Sequence, residues 1–170
     1  MFKKMLIGLL IVFVAIQFFR PDKNDSNDKT YDITTKYEVP ERVDHLLQVA
    51  CNDCHSNKTE YPWYANIQPI AGWMNDHIED GKRHLNFSTF TKLPIAVQNH
   101  KLDETIEMVE EKEMPIESYT YLGLHAEANL SEEEREMIID WAKAQMAYLK
   151  ETYPADSLVM KRRGPRPPAK

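Results

Sequence analysis

Apolar and polar positions divide the chain sharply. Met1 to Phe19 (MFKKMLIGLLIVFVAIQFF) is an almost unbroken apolar run with Lys3 and Lys4 near its start. Pro21 to Val39 (PDKNDSNDKTYDITTKYEV) is polar and has no apolar period. From Pro40 a helical period sets in, with Val43, Leu46, Leu47 and Ala50 at i, i+3, i+4 and i+7. Ile70, Trp73, Met74, His77 and Ile78 share one face of a second helix, which Gly81 is expected to stop. Pro94 is expected to interrupt any helix near it. A third helix is expected from about Asn99, apolar at Leu102, Ile106 and Val109, and ended by Glu113-Met114-Pro115. The last helix is the best marked. Ser131-Glu132-Glu133-Glu134 is a capping box, and Met137, Ile138, Trp141, Ala144 and Tyr148 form the stripe behind it. The pattern predicts an all-α fold, a small helical domain preceded by one apolar helix.

Four segments follow from this pattern: 1–20, 21–39, 40–150 and 151–170. The first is expected to be an uncleaved membrane anchor. A cleaved leader ends in small residues, whereas this run ends Gln17-Phe18-Phe19-Arg20-Pro21. Its length is close to the roughly twenty residues that span a bilayer. Lys3 and Lys4 then stay cytoplasmic, and the Asp-rich flank after Pro21 lies outside. Residues 21–39 are expected to be a polar linker that lifts the domain off the bilayer, with a β-branched stretch at Ile33 to Thr35. The tail ends KRRGPRPPAK, basic and proline-rich, and is expected to be disordered. The formal charge of −6 is concentrated in the acidic 40–150 segment, which argues against a nucleic-acid partner and for basic-faced protein partners.

The only two cysteines stand in Cys51-Asn-Asp-Cys54-His55. C-x-x-C-H is the attachment signature for one covalent haem c: two thiols one helical turn apart meet two vinyl groups, and the histidine is the proximal iron ligand. A disulfide here would close a tiny loop and stabilise little. A closed zinc site lacks a second cysteine pair, and no βαβ pattern supports a thioredoxin-type dithiol. Tyr61-Pro62-Trp63-Tyr64 supplies candidate haem-wall aromatics, and a carbonyl at Pro62 or Pro69 is a candidate acceptor for the His55 Nδ1 proton.

The second axial ligand is open among His45, His77, His84, His100 and His125, and Met74, Met108, Met114, Met137, Met146 and Met160. Met114 stands out, because Pro115 forces it out of a helix and onto a loop. His77 is its sharpest rival, although a lone histidine on an apolar face is more often a hydrogen-bonded core residue. An open iron site would instead suit a five-coordinate peroxidase-like enzyme, with His77 and Arg83 as the best distal pair, or a haem-based sensor.

Cys51-Cys54-His55, Met114-Pro115 and a C-terminal helix bearing Trp141 resemble the class I cytochrome c pattern. More closely, Cys51-Asn-Asp-Cys54-His55-Ser56-Asn57, Tyr61-Pro62-Trp63-Tyr64 and Glu113-Met114-Pro115 resemble the bacterial haem-binding domain family over about Pro40 to Leu149. Ser56 stands where a glycine often follows the ligand, and Ile70 to Thr91 adds a helix to the class I pattern. The resemblance implies an all-helical domain around covalent haem, placed on the exported side of the membrane. The expectation is a non-enzymatic, membrane-anchored cytochrome. It would carry single electrons on the periplasmic face of the inner membrane to membrane-bound or periplasmic redox proteins, with His55 and Met114 on the iron.

Overall fold

The structure, a computed structural model, describes residues 1–160. Seven α-helices are found among them: α1 (Phe2–Ile16), α2 (Glu41–Ala50), α3 (Asn52–His55), α4 (Ile70–His84), α5 (Ile95–Glu110), α6 (Glu117–Thr120) and α7 (Glu132–Thr152). Short 3-10 turns join them, and no strand occurs among the described residues.

The core forms where α5 lies along α7 and α2 packs on α7. It has two buried clusters. One gathers Val43 and Leu47 with Phe87, Phe90, Leu102 and Trp141; the other gathers Leu46 and Ala50 with Val109, Leu130 and Ile138. Each fully buried aliphatic or aromatic side chain contributes roughly 1.5–3 kcal/mol by leaving water. Because α2 buries residues in both clusters, the chain leaves it between them, and Cys51 packs against both. α7 begins at the capping box: Ser131 Oγ accepts from Glu134 N, and Glu134 reaches back to Ser131 N.

Three local expectations change. α4 does not stop at Gly81 but runs on to His84. A Cβ at Gly81 would meet the Cys54 carbonyl oxygen at 2.5 Å, so the glycine permits close helix packing rather than a cap. α5 starts at Ile95 because Pro94 precedes it as N-cap; there a fixed φ suits a helix start, and the missing N–H costs nothing. The 116–129 loop contains α6 and two 3-10 turns.

The polar linker is packed rather than free. Asn24 is buried, and its Nδ2 donates to Ser56 O and Thr59 Oγ1 while its Oδ1 accepts from Lys82 Nζ at 2.8 Å. Asp32 caps a 3-10 turn at Ile33–Thr35, so this β-branched stretch is a helical turn. Ile33 and Tyr37 enter the core, and Tyr37 donates to the buried Gln98 Oε1 at 2.5 Å. Polar side chains with fixed partners order this segment, which composition alone reads as a tether. The start of the tail also packs: Tyr153 and Leu158 touch the core. The expectation of disorder for 161–170 lies outside the described residues.

α1 buries none of its side chains. At about 1.5 Å per residue it is about 22 Å long. No helix among the described residues is long and apolar enough to cross a membrane.

Candidate haem site

α3 is a single turn. Cys51 O accepts from Cys54 N at 3.2 Å and from His55 N at 2.9 Å. Residues at i, i+3 and i+4 share a helix face, so one turn presents both thiols and the imidazole to the same space. That space is a cavity of about 500 Å3, mainly apolar, bounded by α3, the second half of α4, α5 and the Met114–Tyr119 segment.

His55 Nδ1 lies 3.0 Å from Leu85 O. A carbonyl can only accept, so Nδ1 carries the proton and the Nε2 lone pair is left for a metal. The acceptor is therefore Leu85, not Pro62 or Pro69. Leu85 is supplied by the chain leaving α4, whose C-terminal half is pressed against α3 through Gly81. Burial lowers the His55 pKa against the opposing pull of the Leu85 and Gly81 carbonyls, which keeps the ring neutral and able to ligate. Loss of water, with Cys54 as a lesser cause, pushes Cys51 up to about 12. Loss of water and the nearby Asp53 push Cys54 up to about 11.

Four of the eleven candidate axial ligands line the cavity: His77, His84, Met108 and Met114. His45, His100 and His125, and Met74, Met137, Met146 and Met160, do not. His77 Nδ1 meets Trp73 O at 2.9 Å in its own helix. Met114 is held by its main chain, its N–H donating to Met108 O and its carbonyl accepting from Arg135 Nη1 at 2.8 Å.

The expected aromatic wall is not assembled. Tyr61, Trp63 and Tyr64 do not line the cavity. Tyr61 Oη accepts from Asn24 N, and Trp63 is 76% exposed. Tyr64 borders a separate cavity of about 70 Å3 behind Cys54. Three residues after Pro62 the chain turns away at Ala65, which takes the buried place instead. The aromatic rings that do line the cavity are those of Phe87 and, bearing a polar group, Tyr119. Its hydroxyl donates to Asp53 Oδ2 at 2.7 Å, and its ring stacks on His125 at 3.9 Å. Burial, and then the Asp53 bond, raise its pKa. No spacing rule marks Tyr119; its signal was an aromatic close after Met-Pro. Arg83, the expected distal arginine, is paired with Asp80 and does not line the cavity.

Residues 11–144 match the family described as the haem-binding domain. The chain belongs to that family. No curated protein and no solved structure matches it. The residues of this haem-binding domain fit the group its family implies. The cavity volume falls in the usual range for a cofactor site, roughly 300–1,000 Å3, its lining is largely apolar, and a preoriented imidazole stands beside two thiols.

Proposed function

We propose that this haem-binding domain is a c-type cytochrome that carries single electrons at the outer face of the cytoplasmic membrane. The observation that carries the reading is the single turn Cys51–His55 facing the cavity, with His55 Nδ1 tied to Leu85 O. Each thiol adds across one vinyl C=C, sulfur to one carbon and hydrogen to the next, so no oxidant is consumed and no group leaves. When bound, the haem supplies a one-electron Fe(III)/Fe(II) couple. His55 would hold the iron through its free Nε2, and the apolar lining would exclude water. Met114 is the preferred second ligand, because its backbone bonds hold it on a loop at the cavity wall. Asp53, Asp80, Glu104 and Glu107 outnumber Lys101 among the cavity-lining side chains, a net negative charge that suits basic-faced redox partners in the membrane or periplasm.

Membrane attachment belongs to the same reading. α1 exposes apolar side chains around its whole circumference, and a bilayer is the environment that such a surface suits. A helix shorter than the roughly 30 Å hydrocarbon layer is accommodated by local thinning and by Lys3, Lys4 and Arg20 reaching to the interfaces. Export of the domain is required by the attachment chemistry, and Lys3 and Lys4 favour that topology.

The test is the mass and spectrum of mature protein from a host that attaches haem c. One haem's mass that survives denaturation, with a Soret band, is expected; the mass of bare polypeptide with free thiols overturns the reading. Met114→Ala should keep the haem but lose the weak red charge-transfer band of the oxidised protein, and Met108→Ala should retain both. The reverse pattern moves the ligand to Met108.

A further inference from the structure

We propose that the haem domain sits directly on the bilayer surface, on a face made by Trp63, Ile70 and Trp73, in an orientation locked by hydrogen bonds between Gln17 and Gln68. The inference rests on α1 being the membrane anchor. It adds a lipid-facing surface on the domain itself and a fixed angle between the two.

The lock lies at the base of α1. Gln68 N donates to Gln17 Oε1 at 2.9 Å, and Gln17 Nε2 donates to Gln68 O at 3.2 Å. The Gln17 amide therefore pairs with the main-chain N–H and C=O of a single residue of the domain, as a neighbouring strand would. Gln68 returns the contact, its Nε2 donating to Phe19 O at 2.6 Å. Asn24 is then buried a few residues on, so the chain has no free length between helix and domain.

Gln68 lies between the surfaces in question. Trp63 is 76% exposed in the 3-10 turn before it; Ile70 is 39% and Trp73 50% exposed in the first turn of α4 after it. Phe18 and Phe19 are 84% and 76% exposed on the anchor side of the same contact. Large aromatics exposed together at the foot of an apolar helix have the composition of a membrane interface, where amphipathic rings sit at headgroup level. Arg20 and Lys23 stand beside them, Lys23 Nζ lying 5.0 Å from the Tyr61 ring centre. A polar protein partner is a poorer occupant, because the patch is continuous with the helix that the bilayer already covers.

α4 then acts as a spacer. Its first turn carries Ile70 and Trp73, and its later turns, from His77 to His84, line the haem cavity. Eleven positions separate Trp73 from His84, or about 16 Å along the helix. The cavity is held within that height of the lipid, in reach of membrane-embedded redox partners.

The test uses full-length, haem-loaded protein in phosphatidylcholine nanodiscs containing a phosphatidylcholine with a diazirine near the glycerol end of its acyl chain. After photolysis, adducts are mapped by peptide mass. Adducts are expected in 61–74 as well as in α1, and not at Tyr148 on α7. Gln17→Ala should keep the protein in the nanodisc and lose most of the 61–74 adducts. Protein that enters nanodiscs without labelling at 61–74 overturns the seating and leaves the anchor standing. Unchanged 61–74 labelling in Gln17→Ala overturns the lock. Protein that fails to enter nanodiscs overturns anchor and seating together.

Discussion

The wall of the cavity that carries the thiols and the wall that carries Met114 face the same space but are held by different means. The thiol wall is main chain against main chain. Cys51 continues from α2 between the two core clusters, and Gly81 lets α4 touch the Cys54 backbone. Thr59 Oγ1 and Glu60 N donate to the Asp53 carbonyl and carboxylate, and Asn24 holds Ser56 O. The Met114 wall hangs mainly from long side chains. Arg135 Nη1 spans Val109 O and Met114 O, Lys112 pairs with Glu132, and Tyr119 reaches Asp53. The thiols are thus preorganised by packing, whereas the position of Met114 depends on a few side chains. The first wall should break by folding defects, and the second by changes in ligation that leave the haem in place.

The largest effect expected is on thiol reactivity in folded, haem-free protein. With Cys51 at about 12 and Cys54 at about 11, against about 8.5 for a free thiol, both remain protonated at pH 8. Raised values mean that folding favours the neutral thiols. That preference holds below the ordinary thiol pKa and fades as pH climbs toward 11 and 12. Iodoacetamide should react more than tenfold slower than with the urea-unfolded chain, and the gap should close with rising pH. Equal rates at pH 8 would show that the thiol wall is not formed before haem arrives.

Gly81→Ala comes next. A Cβ 2.5 Å from the Cys54 carbonyl and 2.9 Å from its Cβ forces α3 and α4 apart, at a cost of about 1–3 kcal/mol or more. A lowered melting temperature together with reduced haem loading is expected. Normal loading would mean that α4 is not what sets the thiol wall.

Arg135→Ala removes a charged donor from two carbonyls and should cost about 1–2 kcal/mol. The haem should stay attached while the red charge-transfer band weakens, with recovery in Arg135→Lys only if a single charge suffices. An unchanged band sinks the claim that this arginine positions Met114. Ser131→Ala, at the capping box of α7, should cost about 1 kcal/mol in urea unfolding and leave the spectrum unaltered, because it touches neither wall.

What was legible in the chain was local. The α2 stripe and the α7 capping box obey short-range rules, and the structure has both. Residues 21–39 look like a linker in sequence because Asn24 resembles any solvated asparagine until Ser56 and Thr59 are folded against it. Gly81 looks like a helix stop, since nothing near it in sequence announces Cys54. Tyr61, Trp63 and Tyr64 follow the thiols closely in sequence without lining the 500 Å3 cavity, and Tyr119, farther along the chain, reaches it.

The sequence alone determined the reactive set, two thiols and an imidazole within five residues, because one helical turn dictates how i, i+3 and i+4 stand to one another. Which carbonyl orients His55, which methionines and histidines reach the cavity, and how α1 is fastened to the domain were decided by tertiary structure. Those contacts join residues 30 to 51 positions apart, and only the shape of the packed core brings them within hydrogen-bond distance.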